Sequence, residues 1–408
     1  MTTLRPSRRS VLGLLGAVPL ATGGLLAVPA SAHAGAESDH RGSDPVPADL
    51  RPGGALDQLI AQSAATDRYS GTLLLLHNGR PVLSRTYGMA DKEQSIPNRP
   101  DTIFALGSIT KIFTGIAIGQ LVQQGKVAYH EKLSAYLTGF PAAIGDTVTV
   151  HQLLTHTSGL ADVARDSGDV LRSWTSEAEV TRELLKLVQA APLLFPPGTG
   201  YTYSNNGYIT LAYIVAAVSG QSFYDYVRKH IFRPAGMISS DFYNRDQWDT
   251  NRRIAHPYAP PPSGGARVDN HLLDTYIGHG ASGAFSTTPD LTAFVSALTG
   301  GKLLDTAYTW LATTPKFPAP PLPPKPGLPA QSLFECYGLS AVLVNDHWGL
   351  GHKGGTTMGI STALEWYPAN GYVYANLCNY EAGSTTPIDT QARLLITGAG
   401  EHRPHPRH

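Results

Sequence analysis

The sequence is poor in charge and in cysteine. Only 15% of its 408 residues are Asp, Glu, Lys or Arg, and 31 basic residues balance 31 acidic ones. No net field therefore draws the whole chain to a polyanion, and no nucleic-acid partner is expected. The 15 histidines add local positive charge only in an acidic medium. The two cysteines, Cys336 and Cys378, permit at most one disulfide. They flank strand-like segments, so a bridge between adjacent strands and a pair of buried free thiols both remain open. Scattered histidines without ligand spacing, and two thiols far apart, make no zinc motif; neither a metal nor another cofactor is expected. Beyond residue 28 no apolar run is long enough to cross a bilayer, and no internal repeat is present.

What the chain does have is length and apolar content. At 42% apolar, 408 residues bury a substantial core in one large domain or in two to three lobes. Ser7-Arg8-Arg9 precedes a mostly apolar run from Val11 to Val28, followed by small residues. Residues 1–34 read as an export signal of the twin-arginine type, with Ala32-His33-Ala34 as a cleavage site and Ala30-Ser31-Ala32 overlapping it. The competing reading is an uncleaved anchor, which Pro19 and four glycines weaken; after signal removal no stable membrane insertion is expected. Residues 35–49 form a polar leader, the folded body runs over about 50–400, and 401–408 is a tail.

The periodicity then assigns elements. Leu56, Leu59, Ile60 and Ser63 fall at helical spacing within Ala55–Ala65. The runs Thr72–His77 and Val82–Tyr87, joined across Asn78-Gly79, predict a hairpin, because both central residues of a type I′ turn need positive φ. From Phe104 the period changes, and Ile109, Ile112, Phe113, Ile116, Ala117 and Leu121 form a helical stripe with Ser108 at its first turn. Further helical patterns at His151–Leu154, Val180–Ala190, Asn206–Val218 and Phe223–Ile231 make residues 105–280 mainly helical. Short strands return at Tyr337–Val344, His347–His352, Met358–Tyr367 and Tyr372–Leu377, a meander. Pro315–Pro329, with eight prolines in fifteen residues, reads as a stiff extended loop. The fold class that follows is α/β: an antiparallel sheet (about 50–104 and 281–400) flanked by helices, with a mainly helical lobe (about 105–280) inserted and a cleft between them.

Three short segments carry chemistry. Ser108-Ile109-Thr110-Lys111 puts a hydroxyl and an amine on one helix face, where the amine influences the hydroxyl proton. Alone the pair is weak, since a solvent-facing Ser and Lys three apart arise by chance. Its place at the start of a strongly apolar helix raises its weight, because helix N-terminal amides favour an anionic oxygen. Tyr203-Ser204-Asn205 follows the turn Phe195–Gly200; capping of the next helix explains it equally well. A phenol beside an ammonium is acidified, so Tyr203 near Lys111 would act as a base toward Ser108. The third segment is His352-Lys353-Gly354-Gly355, on a glycine-rich strand that either admits a substrate backbone or merely bends.

Together these segments resemble the serine β-lactamase and D-alanyl-D-alanine carboxypeptidase superfamily, whose signature is Ser-x-x-Lys, then Tyr-x-Asn or Ser-x-Asn, then a Lys/His-Thr-Gly strand. Leu153–Leu160, Pro197-Gly198, Ala281–Leu291 and Tyr337-Gly338-Leu339 extend the resemblance to nearly all of Leu56–Leu395. The Tyr203 form and His352 are most similar to the class C branch and its soluble DD-peptidase relatives. The resemblance implies that Ser108 is the nucleophile, that Lys111 and Tyr203 move its proton, and that Asn205 orients substrate or lysine. It also implies that His352 partners Tyr203 and that the Ser108 and Gly355 amides form an oxyanion hole. Lys353, Gly354 and Gly355 would touch substrate. Implied activity is amide hydrolysis of D-alanyl peptides first and β-lactams second. The alternatives are a secreted esterase or D-amino-acid amidase on the same scaffold, or a slowly deacylating penicillin-binding sensor. One departure is that Lys353 stands where the family has threonine, so a hydroxyl that helps hold a substrate carboxylate is missing. Another is Val127–Lys132, where an acidic run is usual. His156 and His279 are read as structural, and Trp174, Tyr201, Tyr208 and Trp348 as candidates to line the cleft.

Overall fold

The computed structural model describes residues 46–162, 168–321 and 329–398. The export signal, most of the leader, the tail and residues 322–328 of the proline-rich segment lie outside them. Eight strands form one antiparallel sheet: β1 (Gly71–His77), β2 (Arg80–Tyr87), β3 (Phe317–Pro318), β4 (Gln331–Glu335), β5 (Ser340–Val344), β6 (His347–Thr356), β7 (Ile360–Tyr367) and β8 (Tyr372–Cys378). Their order is β2-β1-β8-β7-β6-β5-β4-β3. The first hairpin joins the last strand of the chain in register, with Leu74 opposite Ala375, so the two ends of the sequence build one sheet. Asn78 and Gly79 both have positive φ, +50° and +74°, as the two-residue turn requires.

Strand alternation sends side chains to two cores. On one face Leu73, Leu75, Ala363, Tyr367 and Tyr374 pack against helices α1 (Ala55–Ala65) and, at the C-terminal end, Thr386–Ile396. On the other, Leu364, Trp366, Ala375 and Leu377 pack against α2 (Thr110–Gln123) and Thr288–Thr299. The mixed α/β architecture expected from the periodicity is therefore present. Helix α2 is buried as its strongly apolar pattern predicts, and Lys111, Thr114, Gly115, Ile118 and Gly119 are buried along with the apolar stripe. Its polar and small residues are those that let neighbouring backbone approach, as at Thr114, whose hydroxyl donates to the Gly280 carbonyl at 2.6 Å.

Further helices are α3 (Val150–Leu154), α4 (Glu177–Gln189), α5 (Asn205–Ser219), α6 (Thr288–Thr299) and α7 (Thr386–Ile396). Two expectations fail. Residues 251–280, inside the stretch expected to be mainly helical, are mostly irregular, because the Pro257 to Gly265 stretch breaks any helix. Part of the proline-rich segment also joins the sheet: Phe317–Pro318 pairs with Phe334 and Glu335 at the outer edge, where a missing proline N–H costs no ladder bond. Among the described residues no helix is long and apolar enough to cross a membrane. Cys336 and Cys378 are both buried free thiols.

Candidate active site

Ser108 lies in a 3-10 turn, Gly107–Ile109, that runs directly into α2. Gly107 has φ +56°, and a Cβ there would stand 3.0 Å from the Gly355 amide nitrogen. The turn bearing Ser108 is thus in contact with the Gly354-Gly355 segment of β6, and the two amides implied for an oxyanion hole belong to touching segments. Gly354 has a different reason from the one the sequence offered. A Cβ on it would lie 1.9 Å from the Leu106 carbonyl oxygen and 2.5 Å from the Thr362 hydroxyl. That space is taken by the protein's own chain, tied by a 2.8 Å bond from Thr362 to Leu106, and is not an approach path for substrate.

One turn further along α2, Lys111 is fully buried. Its Nζ stands 3.1 Å from Ser108 Oγ, 2.7 Å from Asn205 Oδ1 and 2.8 Å from the Ala281 carbonyl. Burial holds the amine down to about 7, against the opposing pull of Asp162 and Glu335. When neutral, the amine has two N–H groups for the two carbonyl oxygens and one lone pair for the Ser108 hydroxyl, so all three contacts are satisfied.

Asn205 opens α5 but does not cap it. The cap is Ser204, whose hydroxyl accepts from the Gly207 N–H. This leaves the Asn205 amide to accept from Lys111 and to donate to Asp162 Oδ2 at 2.8 Å. Capping thus falls to Ser204 and lysine orientation to Asn205.

Tyr203 requires a correction. Lysine proximity was expected to acidify its phenol; instead burial pushes it well above the usual tyrosine range, although a bond with Ser108 opposes this. The reason is geometric: the Lys111 Nζ lies over the ring face, 4.8 Å from its centroid. Tyr203 as a whole is 39% exposed at the cleft mouth, and its hydroxyl reaches Ser108. Tyr203 therefore stays a neutral phenol across the neutral range, while burial brings Lys111 close to losing its proton there.

His352 meets Tyr203 edge-on, with ring centroids 6.4 Å apart. Burial, then the charge of Lys111, holds it down to about 3, and its Nδ1 pairs with the Lys353 carbonyl at 2.8 Å. It is a neutral ring at pH 7. Lys353 lines the same groove as His352, but its amine is 3.3 Å from Asp389 and 4.0 Å from Glu365, so its charge is already engaged.

Sequence reasoning missed Asp162, Glu335 and the Ala281 carbonyl. Asp162 stands just after the Leu153–Leu160 segment and Ala281 opens another segment of the resemblance, but only folding brings them to Lys111. His156 is buried, held well below its usual range by burial, and positioned to accept from the Ser204 N–H at 3.2 Å. His279 likewise accepts from the Ala281 N–H. Tyr201 lines the cleft, whereas Trp174 and Tyr208 belong to the core. Among the described residues one group of metal-ligand types gathers, His256, Asp269 and His271. Asp269 spends its oxygens on both imidazoles, at 2.6 and 2.9 Å, as a hydrogen-bonded bridge.

Known proteins are similar to this chain in sequence and in fold. A family model described as Beta-lactamase matches residues 56–397. The penicillin-binding protein PbpX of Bacillus subtilis is 32% identical over 235 residues, covering 58% of this chain and 56% of that protein. Esterase EstB of Burkholderia gladioli is 30% identical over 244 residues, 57% of this chain and 61% of that one. The chain thus spans little more than half the length of these curated relatives. The crystal structure of a penicillin binding protein from Bacillus halodurans superposes with a TM-score of 0.70 at 28% identity, covering 82% of this chain and 98% of that one. With a match over most of its length and the same sheet and helix arrangement, the chain belongs to the β-lactamase family.

Proposed function

We propose that the protein is a serine hydrolase that forms an acyl ester on Ser108 and acts on small-molecule or peptide amides or esters. The observation that carries this reading is the triple contact of a buried Lys111 with Ser108, Asn205 and Ala281. Neutral Lys111 takes the Ser108 proton as the Oγ–carbon bond forms. The Ser108 and Gly355 amides meet the charge appearing on the carbonyl oxygen. As the tetrahedral adduct collapses, Tyr203 gives its proton to the departing nitrogen or oxygen and recovers one from Lys111. Water then attacks the ester by the same path in reverse and frees Ser108.

D-alanyl peptides come first as substrates and β-lactams second. A second reading, a relaxed esterase or amidase, gains weight from Lys353, which is engaged with Asp389 and Glu365 and lacks the hydroxyl that would hold a substrate carboxylate. The test is intact mass of wild type and Ser108→Ala after mixing with penicillin and, separately, p-nitrophenyl acetate. A lasting penicillin adduct on wild type alone favours a DD-peptidase or sensor. Ser108-dependent turnover of the ester only favours the relaxed enzyme. Retained turnover in Ser108→Ala would sink the assignment.

The N-terminal segment is proposed to export the protein by the twin-arginine route. Replacing Arg8 and Arg9 by lysine is expected to leave the unprocessed chain inside the cell, and unchanged export on fractionation would refute this.

A further inference from the structure

Beside Tyr203 the cleft widens into a groove of about 390 Å³ whose walls include Tyr201, Glu335, Ser340, His352 and Lys353. Charge is uneven along it. At the far end Lys353 faces Asp389 and Glu365, and Arg393 is bonded to Glu365, so two cations and two carboxylates neutralise each other. On the wall beside Tyr203 stands the carboxylate of Glu335, near enough to favour the charged form of Lys111.

Glu335 is only 5% exposed. Its Oε1 accepts from the Tyr201 hydroxyl at 2.8 Å, and its Oε2 has the Ser340 hydroxyl at 3.5 Å, the outer limit of a hydrogen bond. Two carboxylate oxygens can accept about four bonds, so this group keeps unspent capacity on a groove wall. Its hydrogen-bond partners among the described residues are hydroxyls; burial holds its carboxyl above the usual range and only the Lys111 charge among cations opposes this, so a bound ammonium would stabilise the ionised form.

We propose that Glu335 forms a subsite for a protonated amine on the acyl part of the substrate. The preferred substrates are then amides or esters of amino acids, or peptides attacked at their first residue, that carry a free ammonium group. This rests on the Ser108 acylation reading and names its substrate class. Ser108 Oγ bonds to the carbonyl carbon while the ammonium on the neighbouring carbon, unchanged through the reaction, donates charge-assisted bonds to Glu335. The leaving amine or alcohol departs with the Tyr203 proton. An acyl group carrying a carboxylate instead finds the groove's cations already engaged.

The experiment compares kcat/KM for alanine p-nitroanilide of either hand with its N-acetyl derivative. Wild type is expected to prefer the free amine at least tenfold, Glu335→Gln to reduce that ratio at least tenfold, and Glu335→Asp to restore part of it. A ratio unchanged by Glu335→Gln, or a wild-type preference for the acetylated compounds, overturns the proposal. Should Glu335→Gln not fold, wild type alone decides. Ethylammonium should slow p-nitrophenyl acetate turnover more than an equal concentration of ethanol, and equal slowing overturns the subsite. Ser108 acylation by p-nitrophenyl acetate without any amine preference defeats the subsite only, whereas absence of that acylation defeats the Ser108 reading and the subsite with it.

Discussion

Replacing Asp162 by asparagine isolates the electrostatics of the base. The Asp162 carboxylate reaches Lys111 through one amide, by bonds of 2.8 and 2.7 Å on either side of Asn205. That places the charges about 7 Å apart, where an effective dielectric of about 20 gives roughly 2 kcal/mol of attraction. The carboxylate favours the ammonium form, so removing it must lower the lysine value, by about 1 to 1.5 pH units. With neutral Lys111 as base, wild-type kcat/KM for a neutral ester rises through the lysine value of about 7. In Asp162→Asn the same limb should sit about one unit lower. At pH 6 the rate, relative to each enzyme's own plateau, climbs from about a tenth to about half. The assay is p-nitrophenyl acetate hydrolysis from pH 5 to 9 at constant ionic strength. A limb that stays put or moves upward refutes the electrostatic argument, and a wild-type limb still rising past pH 9 returns the role of base to Tyr203.

Other outcomes follow from the same geometry. Asn205→Ala should cut ester turnover by about a hundredfold with little change in melting temperature, while Ser204→Ala should cost about 1 kcal/mol of stability through the lost cap; the reverse pattern would exchange their roles. Gly354→Ala forces a Cβ to within 1.9 Å of the Leu106 carbonyl, so thermal melts should show a loss of 2 kcal/mol or more, on the order expected for overpacking, and a silent substitution would mean this contact is misjudged. Glu365 is raised by burial but held down to about 2 by Arg393 and Lys353. A depressed carboxylate contributes stability above its usual value near 4.5, lost as pH falls through about 2. Melting temperature should drop across that window, on the order of 3 kcal/mol in all, and drop less steeply in Glu365→Gln.

Much of the site was legible because its residues come in short segments with local geometry. Ser108 and Lys111 are three apart on one helix, so helical spacing alone brings them within reach. Asn78-Gly79 dictated its own turn, since few other pairs tolerate two positive φ values. The strands at both ends of the chain were also legible, being apolar runs with turn residues between them. What failed was anything decided by who competes for a contact. Lys353 had a charge but no readable partner, and Asp389, 36 residues away, took it. Tyr203 looked acidic from its neighbour, yet the amine came to rest over its ring while burial acted on its hydroxyl. Gly354 looked open to substrate, but the Leu106 carbonyl filled the space.

The sequence by itself determined the fold class, the Ser-x-x-Lys pair and the family, because hydrophobic period, turn chemistry and motif spacing are local properties of the chain. Only the tertiary structure decided the proton chemistry. Asp162, Asn205, Ala281 and Glu335 converge on Lys111 from segments as much as 224 positions away in the chain, and desolvation depends on everything packed around a group. A pKa or a free acceptor is a property of that enclosure, and no segment of the sequence carries it alone.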